Sequence, residues 1–129
     1  MKTILVLLLG VTMTQAQLVV TVSPVKVTGQ KAVVPLTIKN TFGERVESAR
    51  AAVFLLDEQG KMLGNATRWV IGGSNTNSLV AGATNTFHFV ITSEKPFATT
   101  NLTAKVNFSR IVLEGGKLAD PNKDVEIEK

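Results

Sequence analysis

The sequence predicts an all-β protein, an antiparallel sandwich of about seven short strands, and three observations carry that prediction. Apolar residues recur at every second position in several segments, as in Val34, Leu36 and Ile38 or in Leu102, Ala104, Val106 and Phe108, which is the period of a strand with one buried face. Clusters of Gly, Asn, Asp and Pro separate these segments at roughly eight-to-twelve-residue intervals, the spacing of a Greek-key sandwich. No helical periodicity runs through residues 17–129.

The chain opens with Met1-Lys2, an apolar run from Ile4 to Val11, and Thr14-Gln15-Ala16. A short positive start, an apolar stretch of export length and small residues before a cut form a signal peptide, here residues 1–16, with Gln17 as the expected mature start. The run falls short of the roughly 20 residues needed to span a bilayer, so no membrane span is expected after cleavage and the protein is expected to be secreted or periplasmic.

Leu18 to Val22 and Val25 to Val27 read as a first strand broken at Ser23-Pro24. Proline donates nothing to a ladder, so this strand is expected at an edge or at a crossing between sheets. After the turn at Thr28 to Lys31, Val33 to Lys39 is the second strand, and Pro35 inside it signals an unpaired side or a bulge. Arg50 to Leu56 has apolar residues on both faces, Ala51, Val53 and Leu55 alternating with Ala52, Phe54 and Leu56, and reads as a central strand covered on each side. Asp57 to Lys61 then supplies an acceptor side chain and a glycine for a tight hairpin loop, so that Met62 and Leu63 run back along Leu55 and Leu56.

Arg68 to Ile71 is a short apolar piece, followed by a loop from Gly72 to Asn85. Phe87, Phe89 and Ile91 share one face of the next strand. In the strand from Leu102 to Leu113 the phase breaks at Arg110, which predicts a bulge near Ser109. The sandwich is expected over residues 17–119, and residues 120–129 form either a polar tail or a last edge strand through Val125 and Ile127.

Three segments carry a family resemblance: Pro35 to Asn40, the run Val53 to Asp57 with Gly60-Lys61 after it, and Leu79 to Gly82 leading to Phe87. They resemble the bacterial immunoglobulin-like domains named for an F-x-L-Y-D signature, and the related cell-adhesion-type domains, over roughly Ala32 to Glu114. Val53 stands where that signature has its aromatic residue and Leu56 where it has tyrosine. The resemblance implies an extracytoplasmic immunoglobulin-like sandwich and brings no functional residues.

Composition narrows the chemistry. The 129 residues contain no cysteine, which excludes disulfides, thiolate metal sites and a cysteine nucleophile. Net charge is +4, from Lys and Arg that are nowhere adjacent in the chain, so no basic run predicts nucleic-acid binding. His88, the single histidine, falls between two core phenylalanines and should face solvent. There is no G-x-S-x-G turn and no phosphate-binding glycine loop. Asp120 to Glu128 places oxygens at alternate positions like a calcium loop, but Pro121 and Val125 break that pattern. No cofactor, metal or catalytic set is expected.

What remains is recognition. An exported, non-enzymatic module contacting a protein partner is expected, through an exposed strand edge or the Gly72 to Asn85 loop. A carbohydrate or cell-wall binding module is the alternative. Trp69, the only tryptophan, is large enough to favour the core; exposed, it would offer a stacking platform. The candidate binding residues are Trp69, Arg68, Asn75 and Asn77. Asn65, Asn101 and Asn107 begin formal N-glycan acceptor triplets.

Overall fold

Alternation of side chains across pleated strands builds two layers here. The computed structural model describes residues 17–73 and 77–128; the signal peptide expected at 1–16 and the candidate Asn75 lie outside them. Eight strands follow in order: β1 (Leu18–Val22), β2 (Lys26–Thr28), β3 (Lys31–Asn40), β4 (Val46–Leu56), β5 (Met62–Ile71), β6 (Thr84–Thr92), β7 (Thr103–Leu113) and β8 (Val125–Glu128). A single 3-10 turn, Glu114–Gly116, is the only helical element among the described residues.

β6, β3, β1 and β8 lie side by side in the larger sheet, and β2 continues the line of β1 along β3. The smaller sheet has the order β5-β4-β7. The pairing is antiparallel except between β1 and β8, which run parallel, so the expectation of a purely antiparallel sandwich is corrected at this one edge. The chain leaves β7 in one layer and reaches β1 in the other through residues 114–124, and such a crossing allows parallel pairing where a tight hairpin forbids it.

The core fills the space between the sheets. Leu18, Val20, Val34, Leu36, Ile38 and Phe89 from the larger sheet pack with Val53, Leu55, Val70, Ile71 and Ile111 from the smaller one. Phe87 and Phe89 meet edge to face with centroids 5.4 Å apart, an arrangement that places a ring's positive rim on its neighbour's negative face.

Pro24 and Pro35 mark one place. β1 pairs with β3 as far as Val22–Leu36, β2 begins its pairing at Lys26–Val33, and the Ser23 amide donates to the Pro35 carbonyl at 3.0 Å. A residue's N and O point to the same side of a strand, so the donor that Pro35 lacks would have faced the break at Ser23-Pro24. The break neither switches sheets nor puts β1 at an edge, as the sequence suggested. β1 lies between β3 and β8, and of the two pieces either side of the break only β2 is an outer strand.

β4 is central in its sheet, paired on both sides, but it is covered on one face only. Ala51, Val53 and Leu55 are fully buried, whereas Ala52, Phe54 and Leu56 are half-buried on the outer face. β5 is one continuous strand rather than a return at Met62 and a separate piece at Arg68. Its middle, Gly64 to Thr67, is mostly polar because the strand is an edge whose outer face meets solvent.

The turns form as their chemistry demands. The Asp57 carboxylate accepts from the Gln59 and Lys61 amides, both at 2.9 Å, and Gly60 takes φ 81°, in the left-handed region that glycine enters without steric cost. At the other end of the sandwich Asn40 is the one buried polar residue among those described. Its amide donates to the carbonyls of Glu44 and Leu79, each at 2.9 Å, and its oxygen accepts from the Phe42 amide at 2.8 Å.

Candidate functional site

Two features of the surface have the shape and chemistry of recognition sites. The first is the outer edge of β7. β7 pairs with β4 on one side, and on the other only its far end is engaged, where Leu113 N–H donates to Lys117 and Ala119 N–H to Ile111. Residues Thr103 to Ser109 have no strand partner on that side among the described residues. Edge groups of this kind are a template for an added strand.

Next to that edge is an apolar slot of about 230 Å³, with Val22, Ser23, Pro24 and Val25 on one wall and Leu102, Thr103 and Ala104 on the other. It exists because the proline break leaves β1 short. The β1–β8 ladder runs from Leu18–Val125 to Thr21–Glu128, and the slot begins one residue further, at Val22. A smaller cavity, about 180 Å³, lies lower down between Val106, Phe108, Val125 and Ile127. The flank between β1 and β7 is thus closed by β8 at one end and open at the other.

The second feature is the outer face of the smaller sheet. Arg50 on β4 stands directly opposite Trp69 on β5 and Arg110 on β7. An extra residue sits beside each pairing: the register skips Val70 on β5 and Ser109 on β7, so a bulge lies near Ser109 as its phase break predicts. The Arg50 guanidinium lies 6.0 Å from the Trp69 ring centroid, within range of a cation–π contact. Thr67, Ala52 and Asn107 form the next row, and Asn65, Phe54 and Lys105 the one after.

Trp69 is 40% exposed, so it is a surface residue rather than a core one. Val70 and Ile71 take the adjoining core positions instead, because the bulge places two consecutive residues of β5 inward. Behind Trp69 the chain turns at Gly72 and Gly73, both at φ 73°. A Cβ on Gly72 would fall 2.4 Å from the Glu47 carbonyl oxygen, and one on Gly73 would fall 2.8 Å from Trp69 Cβ. Only glycine fits between β4 and the indole here.

The electrostatics of this face are one-sided. Arg50, Arg110 and Lys105 are exposed, and the only ion pair among the described residues, Lys117–Glu44 at 2.9 Å, lies elsewhere. All ten acidic residues are described, and only Glu47 falls within β4, β5 or β7, at the end of β4 where its carboxylate accepts from the Gly115 amide at 3.4 Å. Like charges directly opposite, as in Arg50–Arg110, repel across the strands.

The sequence-based candidates do not converge. Arg68 neighbours Trp69 and therefore points to the other side of β5, where it donates to the Thr67 carbonyl at 2.9 Å. Asn77 is exposed in the loop after β5, accepts from Gly72 N–H at 3.2 Å and borders a polar cavity of about 470 Å³ with Ser78, Thr84 and Asn85. Trp69 alone belongs to the cationic face.

Arg50, Lys105 and Arg110 went unnoticed in the sequence because they are scattered along the chain; strand pairing is what gathers them. Their outward phase opposite the core series was the available signal. His88 is exposed on β6 opposite Pro35. Asp120 uses its carboxylate on the Asn122 amide and Asp124 uses its own on the Asp120 amide, both at 2.8 Å, so these oxygens close a turn. Among the described residues no helix is long and apolar enough to cross a membrane.

No protein-family model matches the chain, and no curated protein matches it. Among solved structures, the crystal structure of the protein designated ApaA from Bordetella pertussis superimposes with a TM-score of 0.59 at 14% identity, covering 83% of this chain and 88% of that one. A Northeast Structural Genomics Consortium target follows at TM-score 0.44 and 13% identity, over 81% of this chain and 77% of that one. The sporulation control protein Spo0M from Bacillus subtilis follows at TM-score 0.34 and 12% identity, with this chain spanning 51% of its length. The last two are too distant to carry an argument, and the similarity to the first shows a shared fold: the chain is a β-sandwich of a kind already seen in a bacterial protein.

Proposed function

We propose that this chain is an exported, non-enzymatic immunoglobulin-like module that binds a protein partner by strand addition along the open edge of β7. The observation that carries the reading is the conjunction of the apolar slot with the side of Thr103 to Ser109 that faces away from β4, which has no strand partner among the described residues. An extended segment laid on the edge gains main-chain hydrogen bonds, and its alternate side chains drop between Pro24, Val25, Leu102 and Ala104. Placement of β3 between β1 and β6, with β4 between β5 and β7, supports the immunoglobulin-like type and the likeness to F-x-L-Y-D domains. The Met1 to Ala16 pattern supports export, and with it a role in the envelope or outside the cell.

A photo-crosslinking side chain at Thr103, in the producing cell, tests this. A discrete protein adduct is expected from position 103 and not from position 88 on β6, and it should disappear when Val25→Lys places a charge in the slot. Absence of an adduct at 103, or an adduct unaffected by Val25→Lys, overturns the reading.

A further inference from the structure

We propose that the outer face of the smaller sheet is a second, separate site, and that its ligand is an acidic polysaccharide, a chain of pyranose rings bearing carboxylates. Three properties of the face define the ligand, and none of them involves the β7 edge.

The first is charge. Arg50 and Arg110 are held opposite each other with no acid to neutralise them, and Lys105 lies further down the same side of β7. Repulsion between two guanidinium groups is relieved by an anion set between them, and a guanidinium takes a carboxylate through two parallel hydrogen bonds. A neutral glycan relieves nothing here.

The second is the ring. Trp69 is the half-exposed aromatic at the end of that row, with Arg50 beside it. The apolar face of a sugar ring stacks on an indole, and a carboxylate on the same or the next ring then falls to the neighbouring guanidinium. Amide and hydroxyl side chains on the next rows, Thr67, Asn107 and Asn65, supply donors and acceptors for sugar hydroxyls.

The third is relief. An acidic protein would anchor through a buried side chain in a pocket, and none of the three cavities described above reaches Arg50, Trp69 or Phe54. Single-stranded nucleic acid would stack successive bases on successive exposed rings, and this face has one. A surface with one exposed aromatic, Trp69, and paired cations fits a polyuronate best.

Trp69 is the only tryptophan and the chain has no tyrosine, so its fluorescence reports on this face alone. Titration of the chain with polygalacturonate should shift that emission saturably, while dextran, a neutral polysaccharide, leaves it unchanged. Arg110→Glu removes the like-charge pair and keeps the fold, yet should weaken polygalacturonate binding by about tenfold or more, one charge-assisted contact. Val25→Lys, in the slot beside β7, should leave it unaffected. Absence of a shift with polygalacturonate, an equal response from Arg110→Glu, or tighter binding of polyglutamate or oligo-dT each overturns the assignment.

Discussion

The Asn40 side-chain amide donates to the Leu79 carbonyl across 39 residues of chain at 2.9 Å, in full burial. The same side chain satisfies the Glu44 carbonyl and the Phe42 amide, so one residue closes both the β3–β4 connection and the loop before β6. Replacing it orphans the buried Phe42 amide and takes a donor from the part-buried Glu44 carbonyl, while the Leu79 carbonyl keeps its bond from the Val46 amide; a buried orphaned group costs about 1–3 kcal/mol. Asn40→Leu is therefore expected to lower stability by about 1–3 kcal/mol, read as a lower urea midpoint at unchanged slope. A midpoint within error of the parent would show that these bonds contribute nothing net.

Glycines at similar positive φ differ in what surrounds them. At Gly60, with φ 81°, a Cβ meets nothing within 4 Å, whereas at Gly72 it meets the Glu47 carbonyl oxygen at 2.4 Å. Gly60→Ala should cost only the left-handed penalty, about 1–2 kcal/mol. Gly72→Ala adds a backbone collision and should cost clearly more. Thermal unfolding of the two variants side by side checks the order, and equal losses would contradict it.

Strand phase is testable on β6. Phe89 is fully buried and Val90 is 41% exposed, one residue apart. Phe89→Ala should cost about 3–5 kcal/mol, while Val90→Thr should stay within about 0.5 kcal/mol. Comparable losses at both positions would place Val90 against something other than solvent.

The β8 edge should respond to pH. The Glu128 carboxyl is raised above its usual range, first by its hydrogen bond to Glu126, then by reduced solvation and by the Glu126 charge, with Thr21 opposing. A carboxyl raised in the folded state binds its proton more tightly there than in the unfolded chain. Its contribution is complete below the unfolded pKa and is lost as pH rises through the raised folded one. Amide exchange in Val125–Glu128, corrected for its intrinsic pH dependence, should show β8 better protected under mildly acidic conditions. Glu126→Gln should flatten that dependence, and better protection at the higher pH would reverse the sign.

Much of the fold was legible in the sequence because one-sided burial writes itself as alternation. β3, β6 and β7 have that pattern, and even the bulge beside Ser109 showed as a phase break before Arg110. β5 was legible only at its ends, since between Gly64 and Thr67 the single inward side chain is the small Ala66, while Asn65 and Thr67 meet solvent. β8, open at the end of its sheet, read equally as a tail. Asn40 could not be recognised as buried, because its bond to the Leu79 carbonyl joins segments whose approach only the folded chain sets. The cationic face was hidden for a related reason: Arg50 and Arg110 are sixty positions apart in number and adjacent only through register.

The two extra residues flanking Arg50 give the smaller sheet a crease. Val70 and Ser109 lengthen β5 and β7 on either side of the same β4 residue, so the local increase in twist that each produces falls on one line across all three strands. Removing Ser109 would keep Phe108 and Ile111 facing inward, since it is the first of two outward residues in succession. The interior is therefore indifferent to that residue, and what it governs is the angle at which the two halves of the sheet present themselves to whatever lies against them.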